Sequence, residues 1–247
     1  MKLMEINMKG EINLAKKVFI DPGHGGNDSG AVGVNNLYEK TINLSVSQKI
    51  VELLKKQGLE VKISRNIDCT MSLQERTDMA NNWKADCFVS IHCNAYNGSA
   101  KGVETYGYSS NTIDLASNIQ EAILKTDAYT LNRGVKTAGF YVLKNTTMRA
   151  ALIELAFIDN KDDVKILIEK QDILAEAVAK GICKYLSVEY KSQIDDKKSD
   201  TIEVVDSNIF YRVVCGSYNN RLYAEEQLEE LKSLGIKDAF ITIYKKE

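Results

Sequence analysis

Histidine and proline are almost missing from this chain, which has two histidines and one proline in 247 residues. Any imidazole chemistry must therefore use His24 and His92, and the one proline-set turn is at Pro22. There is no surplus of positive charge either. Thirty-two Lys and Arg against 34 Asp and Glu leave a net charge of −2, which argues against a nucleic-acid partner. No apolar run approaches the ~18 residues of a membrane span. The five cysteines (Cys69, Cys87, Cys93, Cys183, Cys215) are odd in number and lack CxxC spacing. That excludes a disulfide framework and a thiolate zinc site, and suits small buried apolar residues in a reducing cytoplasm. The first 17 residues have no long apolar core and no small-residue cleavage site, so no secretory leader is expected, and Met4 and Met8 are alternative starts.

What is present is the composition of a soluble globular protein, 44% hydrophobic and 27% charged, long enough for one substantial domain and a small second one. Val18 to Asp21 reads as a short strand that stops at Pro22 and turns through Gly23, His24, Gly25 and Gly26. Helical spacing of Ile42, Val46, Ile50, Leu53 and Leu54 predicts a helix over 39–57, stopped by Gly58. Residues 59–64 alternate as a strand, and Ser72-Leu-Gln-Glu75 is a capping box that opens a helix over 72–83. Strands are predicted at 86–92, 102–108, 140–143 and 150–157, and a helix at 112–125. The 161–186 stretch reads as two helices broken near Lys170. This alternation predicts an α/β sheet covered by helices over residues 1–187. Residues 188–206 are a polar, charged linker, and 207–247 read as a small βαβ unit: a strand at 210–215, a helix at 224–234 and a strand at 239–244.

Both histidines fall at the ends of predicted strands, where open α/β sheets bind ligands. A single histidine is more often a satisfied core or surface residue, but two placed alike point to a shared site. Two imidazoles leave a metal site short of a ligand, and catalytic zinc commonly takes two histidines and a carboxylate. Glu39, near the first turn of the helix after the His24 loop, is the candidate third ligand; a carboxylate there is also favoured by the helix dipole alone. Glu154 interrupts Ala150-Ala-Leu-Ile-Glu-Leu-Ala-Phe157, an otherwise apolar strand. A buried carboxylate needs a charged partner, a nearby metal or a raised pKa. Beside a metal-activated water, such a group can take up and redeliver a proton.

Four motifs occur in order: Asp21-Pro-Gly-His-Gly-Gly26, Leu37-Tyr-Glu-Lys-Thr-Ile-Asn-Leu44, Ser90-Ile-His-Cys-Asn-Ala95 and Leu152-Ile-Glu-Leu-Ala-Phe157. With Arg65 and Arg76 between them, the stretch from about Lys17 to Ser187 resembles the zinc-dependent N-acetylmuramoyl-L-alanine amidases of the type-3 family. The resemblance implies a single twisted mixed β-sheet flanked by helices. It also implies one Zn2+ held by His24, Glu39 and His92, and Glu154 as the catalytic glutamate. The implied substrate is bacterial peptidoglycan, cut between the lactyl group of N-acetylmuramic acid and L-alanine. Arg65 and Asn94 are expected to contact it. No counterpart of the inhibitory helix of some division amidases is evident between Ser99 and Asn111.

The tail, Phe210-Tyr-Arg-Val-Val-Cys-Gly-Ser-Tyr218 with the helix after it, resembles half of a ferredoxin-like SPOR domain, a module that binds glycan strands stripped of their stem peptides. The missing half leads to the expectation that two tails pair across a two-fold axis as a homodimer. Two other readings remain open: a non-catalytic peptidoglycan-binding protein, and a zinc peptidase acting on stem peptides. A wall hydrolase made in the cytoplasm without a leader is expected to reach the wall through lysis or a pore, as an endolysin or an autolysin does.

Overall fold

Alternation along the central strands sets the architecture. In a computed structural model, residues 4–6, 12–128, 131–192, 221–233 and 240–241 are described. The chain divides into two units, Met1–Ser192 and Gln193–Glu247. The first unit opens with two short antiparallel strands, β1 (Met4–Ile6) and β2 (Ile12–Leu14). It continues with β3 (Lys17–Pro22), α1 (Glu39–Lys56), β4 (Glu60–Ile63), α2 (Leu73–Trp83), β5 (Cys87–Asn94) and β6 (Val103–Gly107). Then come α3 (Asp114–Leu124), β7 (Asn132–Thr137), α4 (Tyr141–Lys144), β8 (Arg149–Phe157), α5 (Lys161–Glu169) and α6 (Gln171–Tyr185).

Six strands form one mixed sheet in the order β4-β3-β5-β8-β6-β7. The first four are mutually parallel, and β6 runs antiparallel to β8. Along β5, Cys87, Val89, Ile91 and Cys93 face a large core shared with α1, α3 and α6, while Phe88 faces a smaller one. That smaller core holds Phe19, Ala80, Val142, Leu143, Ala150 and Leu152, with Phe19 and Phe88 stacked at 5.6 Å. The period of two therefore continues through Ser90 and His92 on the smaller core's face and carries it to the carboxyl end of the sheet.

The helix after the glycine turn, the capping box and the break near Lys170 form as predicted: Ser72 Oγ accepts from Glu75 N, and Glu75 Oε2 accepts from Ser72 N at 2.7 Å. The predicted strand at 140–143 is wrong. Tyr141–Lys144 is a short helix, because the two buried side chains, Val142 and Leu143, are consecutive and would face opposite sides of a strand. Strand β7 is not among the strands expected from the sequence; Asn-Arg-Gly-Val-Lys-Thr is polar and half-buried between exposed ends, as an edge strand can be. In the second unit, α7 (Arg221–Ser233) overlaps the tail helix predicted at 224–234, whose last residue lies outside the described residues. The strands predicted at 210–215 and 239–244 lie outside the described residues, except for Phe240 and Ile241.

Candidate active site

Sheet order makes the site. The chain leaves β3 toward β4 on one side and returns to β5 on the other, so the loop after β3 and the end of β5 border the crevice where the order reverses. His24 lies in the first and His92 in the second. His24 has φ 61°, a left-handed conformation costing about 1–2 kcal/mol for a residue with a side chain. Two buried arginines hold the loop in that shape. Arg76 donates to the carbonyls of Pro22 (2.6 Å) and His24 (2.7 Å), and Arg65 to those of Pro22 (3.1 Å) and Gly23 (2.9 Å). Asp21 pairs with Arg76 at 2.7 Å and accepts from Ser64 and Ser90, so the buried charge is compensated on every side.

Three donor groups converge here. One ligand atom from each of His24, Glu39 and His92 lies within 4.8 Å of the others. Glu39 Oε1 is 3.2 Å from His24 Nε2 and 2.9 Å from His92 Nδ1. The backbone N–H groups of Ala31 and Cys93 fix its carboxylate at 2.8 and 3.0 Å. The other nitrogen of His24, Nδ1, is tied to Asp28 at 2.8 Å, the second-layer contact that orients a metal-bound imidazole. Burial works against charge on both sides of this cluster. The Glu39 carboxylate nonetheless raises His24 to about 9, and the two imidazoles hold Glu39 well below the usual carboxylate range. Two imidazole nitrogens and a carboxylate oxygen on rigid mounts fit a divalent first-row metal. There is no room for a side chain beside them, since a Cβ on Gly30 would lie 2.6 Å from Glu39 Oε2 and 2.7 Å from His24 Cδ2.

Two more carboxylates share the sheet row with His92: His92 pairs in register with Glu154, and Glu154 with Glu104. Their surroundings are opposite. Glu104 is 2% exposed and has four donors: Lys136, Arg133 (2.7 Å), Tyr106 (2.7 Å) and Asn94 (2.8 Å). These hold it ionised, its pKa lowered despite burial. Glu154 Oε2 is buried and has no hydrogen-bond partner among the described residues. Burial pushes Glu154 up to about 7; His92 lowers it, and the charges of Glu39 and Glu104 raise it further. A carboxyl so placed can hold a proton or release it near neutrality.

The four residues singled out for metal binding and catalysis are thus brought together. The two expected substrate contacts are not both at the surface. Arg65 is 3% exposed and spends its guanidinium on backbone carbonyls, so it braces the His24 loop from behind. Asn94 lies beside the row and donates to Glu104. Sequence reading missed Glu104, Asp28, Arg133 and Lys136. The first had a signal, as Glu104 is the acidic residue inside the strand predicted at 102–108.

Comparison with known proteins agrees with this geometry. A family model described as N-acetylmuramoyl-L-alanine amidase matches residues 18–184. The N-acetylmuramoyl-L-alanine amidase LytC of Bacillus subtilis is 41% identical over 179 residues, 70% of this chain but only 36% of LytC. The endolysin of Bacillus phage SPP1 is 39% identical over 190 residues, covering 72% of this chain and 69% of the endolysin. The crystal structure of an N-acetylmuramoyl-L-alanine amidase from Clostridium difficile 630 superposes with a TM-score of 0.68 at 38% identity, over 71% of this chain and 98% of that one.

Proposed function

Because this chain belongs to the N-acetylmuramoyl-L-alanine amidase family, we propose that it hydrolyses the amide between N-acetylmuramic acid and L-alanine in peptidoglycan, using zinc held by His24, Glu39 and His92. The observation that carries this reading is the contrast between neighbouring carboxylates: Glu104 is saturated by donors, while Glu154, next to the triad, keeps an oxygen without a partner among the described residues.

When bound, zinc supplies Lewis-acid polarisation of the amide carbonyl and makes water a better acid. Glu154 is the general base that takes the proton of the attacking water. The same carboxyl then delivers it to the alanine nitrogen as the C–N bond breaks, so the products are a lactyl carboxylate and a free amine. Burial raises the proton affinity of Glu154 in the metal-free site, which favours its taking up the proton of water. Asp28 keeps the His24 ring turned with Nε2 toward Glu39. Glu104 cannot replace Glu154 as base, because all of its strong acceptor positions are in use.

In this reading the unit Met1–Ser192 carries the chemistry, since Val188 and Tyr190 of the expected linker pack on its core and Lys191 bonds to Gln57, and residues 207–247 form a wall-binding module. The activity belongs at the cell wall. The test is product analysis of purified peptidoglycan digested with and without a chelator. New L-alanine amino termini that need the metal support the amidase. Termini inside the stem peptide would assign a peptidase, and tight wall binding without products would assign a binding protein.

A further inference from the structure

The row of side chains that contains Glu154 does not end there. Beyond Glu104, edge strand β7 brings Arg133 and Lys136 to the same carboxylate oxygen, Glu104 Oε2. The carboxylate is buried, but the two cations are not: the Arg133 side chain is 31% exposed and that of Lys136 is 39% exposed. One negative charge therefore holds two positive ones at the rim of the site. Arg133 commits only Nε to Glu104, and among the described residues its two terminal nitrogens have no hydrogen-bond partner. Both cations are also fixed from below. Arg133 lies over the Phe157 ring at 4.8 Å, and Lys136 over the Tyr106 ring at 5.9 Å. Tyr106 is itself tied to Glu104 and packed edge-on against Phe140 at 5.2 Å.

From this geometry we infer that Arg133 and Lys136 form an anion-recognition subsite, which binds a carboxylate of the stem peptide next to the scissile bond. A guanidinium that keeps its paired terminal N–H groups presents the fork that suits a carboxylate. Pinning by Glu104 and the aromatic rings removes much of the ordering cost of binding. A cation pair serving only to neutralise Glu104 would not need two members, since Asn94 and Tyr106 already satisfy Oε1 and either cation alone balances the charge. The peptide carboxylate nearest the cut bond is that of the acidic residue following L-alanine, which is a free acid in some walls and an amide in others. The subsite therefore makes the enzyme discriminate between those two wall chemistries.

This inference rests on the amidase reading for its substrate, but its test separates the two. Binding of L-alanyl-D-glutamine, whose side-chain amide stands in for the γ-linkage of the stem and leaves the α-carboxylate free, and of its α-amide to the zinc-loaded full chain is measured by calorimetry, and turnover of the matching muramoyl dipeptides is measured in parallel. The wild type should prefer the acid about tenfold to a hundredfold in both assays. Arg133→Gln and Lys136→Gln should each lower the acid-to-amide ratio in binding and in turnover, whatever they do to the common rate through Glu104, and Arg133→Lys should retain part of that ratio. Circular dichroism melting reports whether each variant is folded; should one unfold, the wild-type preference and Arg133→Lys still decide. No preference in the wild type, or equal losses on acid and amide, overturns the inference. Binding preference without hydrolysis of either dipeptide would instead overturn the amidase reading and leave the subsite standing.

Discussion

Replacing Glu154 with glutamine should slow hydrolysis and stabilise the metal-free fold, and the second effect should depend on pH. The swap keeps the shape and removes the charge. Loss of a positioned general base costs about 100- to 10,000-fold in rate. The stability effect comes from the pKa, which burial first and then the neighbouring charges of Glu39 and Glu104 raise from the ordinary 4.5 to about 7 against the opposing pull of His92. Below pH 4.5 the folded and unfolded chains both carry the proton, and Glu154 has no electrostatic cost. Between 4.5 and 7 the unfolded chain alone is ionised, so stability falls as pH rises; above 7 the loss is constant. At 1.36 kcal/mol per tenfold change in acidity the loss is roughly 3 kcal/mol. The amide still leaves one polar atom to desolvate, so this is an upper bound on what Glu154→Gln recovers. For a domain of this size it corresponds to a rise in Tm of roughly 6–12 °C at pH 8, shrinking to nothing at pH 4. The assay is calorimetric melting of chelator-treated wild type and variant between pH 4 and 8, beside hydrolysis rates of the zinc-loaded forms. A gap in Tm that does not change with pH would refute the burial argument, and a fully active variant would refute the role of base.

Three further outcomes follow from the site's supports. Asp21→Ala leaves the buried Arg76 charge without its carboxylate and should destabilise the fold by about 3–5 kcal/mol in a denaturant titration; a loss under 1 kcal/mol would mean the pair contributes little. Gly30→Ala forces a side chain against Glu39 and His24 at φ +62°. It should weaken zinc binding about 10- to 100-fold in competition with a chelating dye, and unchanged affinity would contradict the tight cradle. Ser72→Ala removes one half of the capping box on α2 and should cost about 1 kcal/mol, read as a lower denaturation midpoint with activity per folded molecule unchanged.

The residues that could be read in the sequence are those that violate their local pattern. Glu154 sits in an apolar strand, the histidines are two in the whole chain, and each falls at the end of a predicted strand. Their convergence needed the strand order, but the order follows from alternating helices and strands with few alternatives. What could not be read is the chemistry of long side chains whose destination is set by tertiary structure. Arginine is exposed by default, so nothing local shows that Arg65 and Arg76 are buried beneath a loop, 3% and 2% exposed. Strand β7 hides for a related reason. Its polar side chains look like those of a solvated turn because two of them are consumed by a carboxylate 29 and 32 residues away. Residues 140–143 mislead in the other direction: four apolar side chains suggest a strand, and only their burial in adjacent positions reveals a helical turn.

The pairing of Glu104 with Glu154 also shows why a single row of a sheet can carry two acidic residues with opposite duties. Parallel and antiparallel registers place His92, Glu154 and Glu104 side by side on one face, so two carboxylates at neighbouring positions must share a small volume. Two unpaired charges at that distance repel, and burial strengthens the repulsion. The edge strand resolves the conflict by giving all of its cations to one member of the pair. Glu104 is thereby fixed as an anion, and its charge helps to raise the proton affinity of the other. Moving Arg133 or Lys136 away would therefore act on Glu154 as well as on the substrate, through the field of a Glu104 left less compensated. The pH dependence of kcat in Lys136→Gln should shift its lower limb upward, whereas loss of a purely substrate-binding cation would change KM and leave that limb in place.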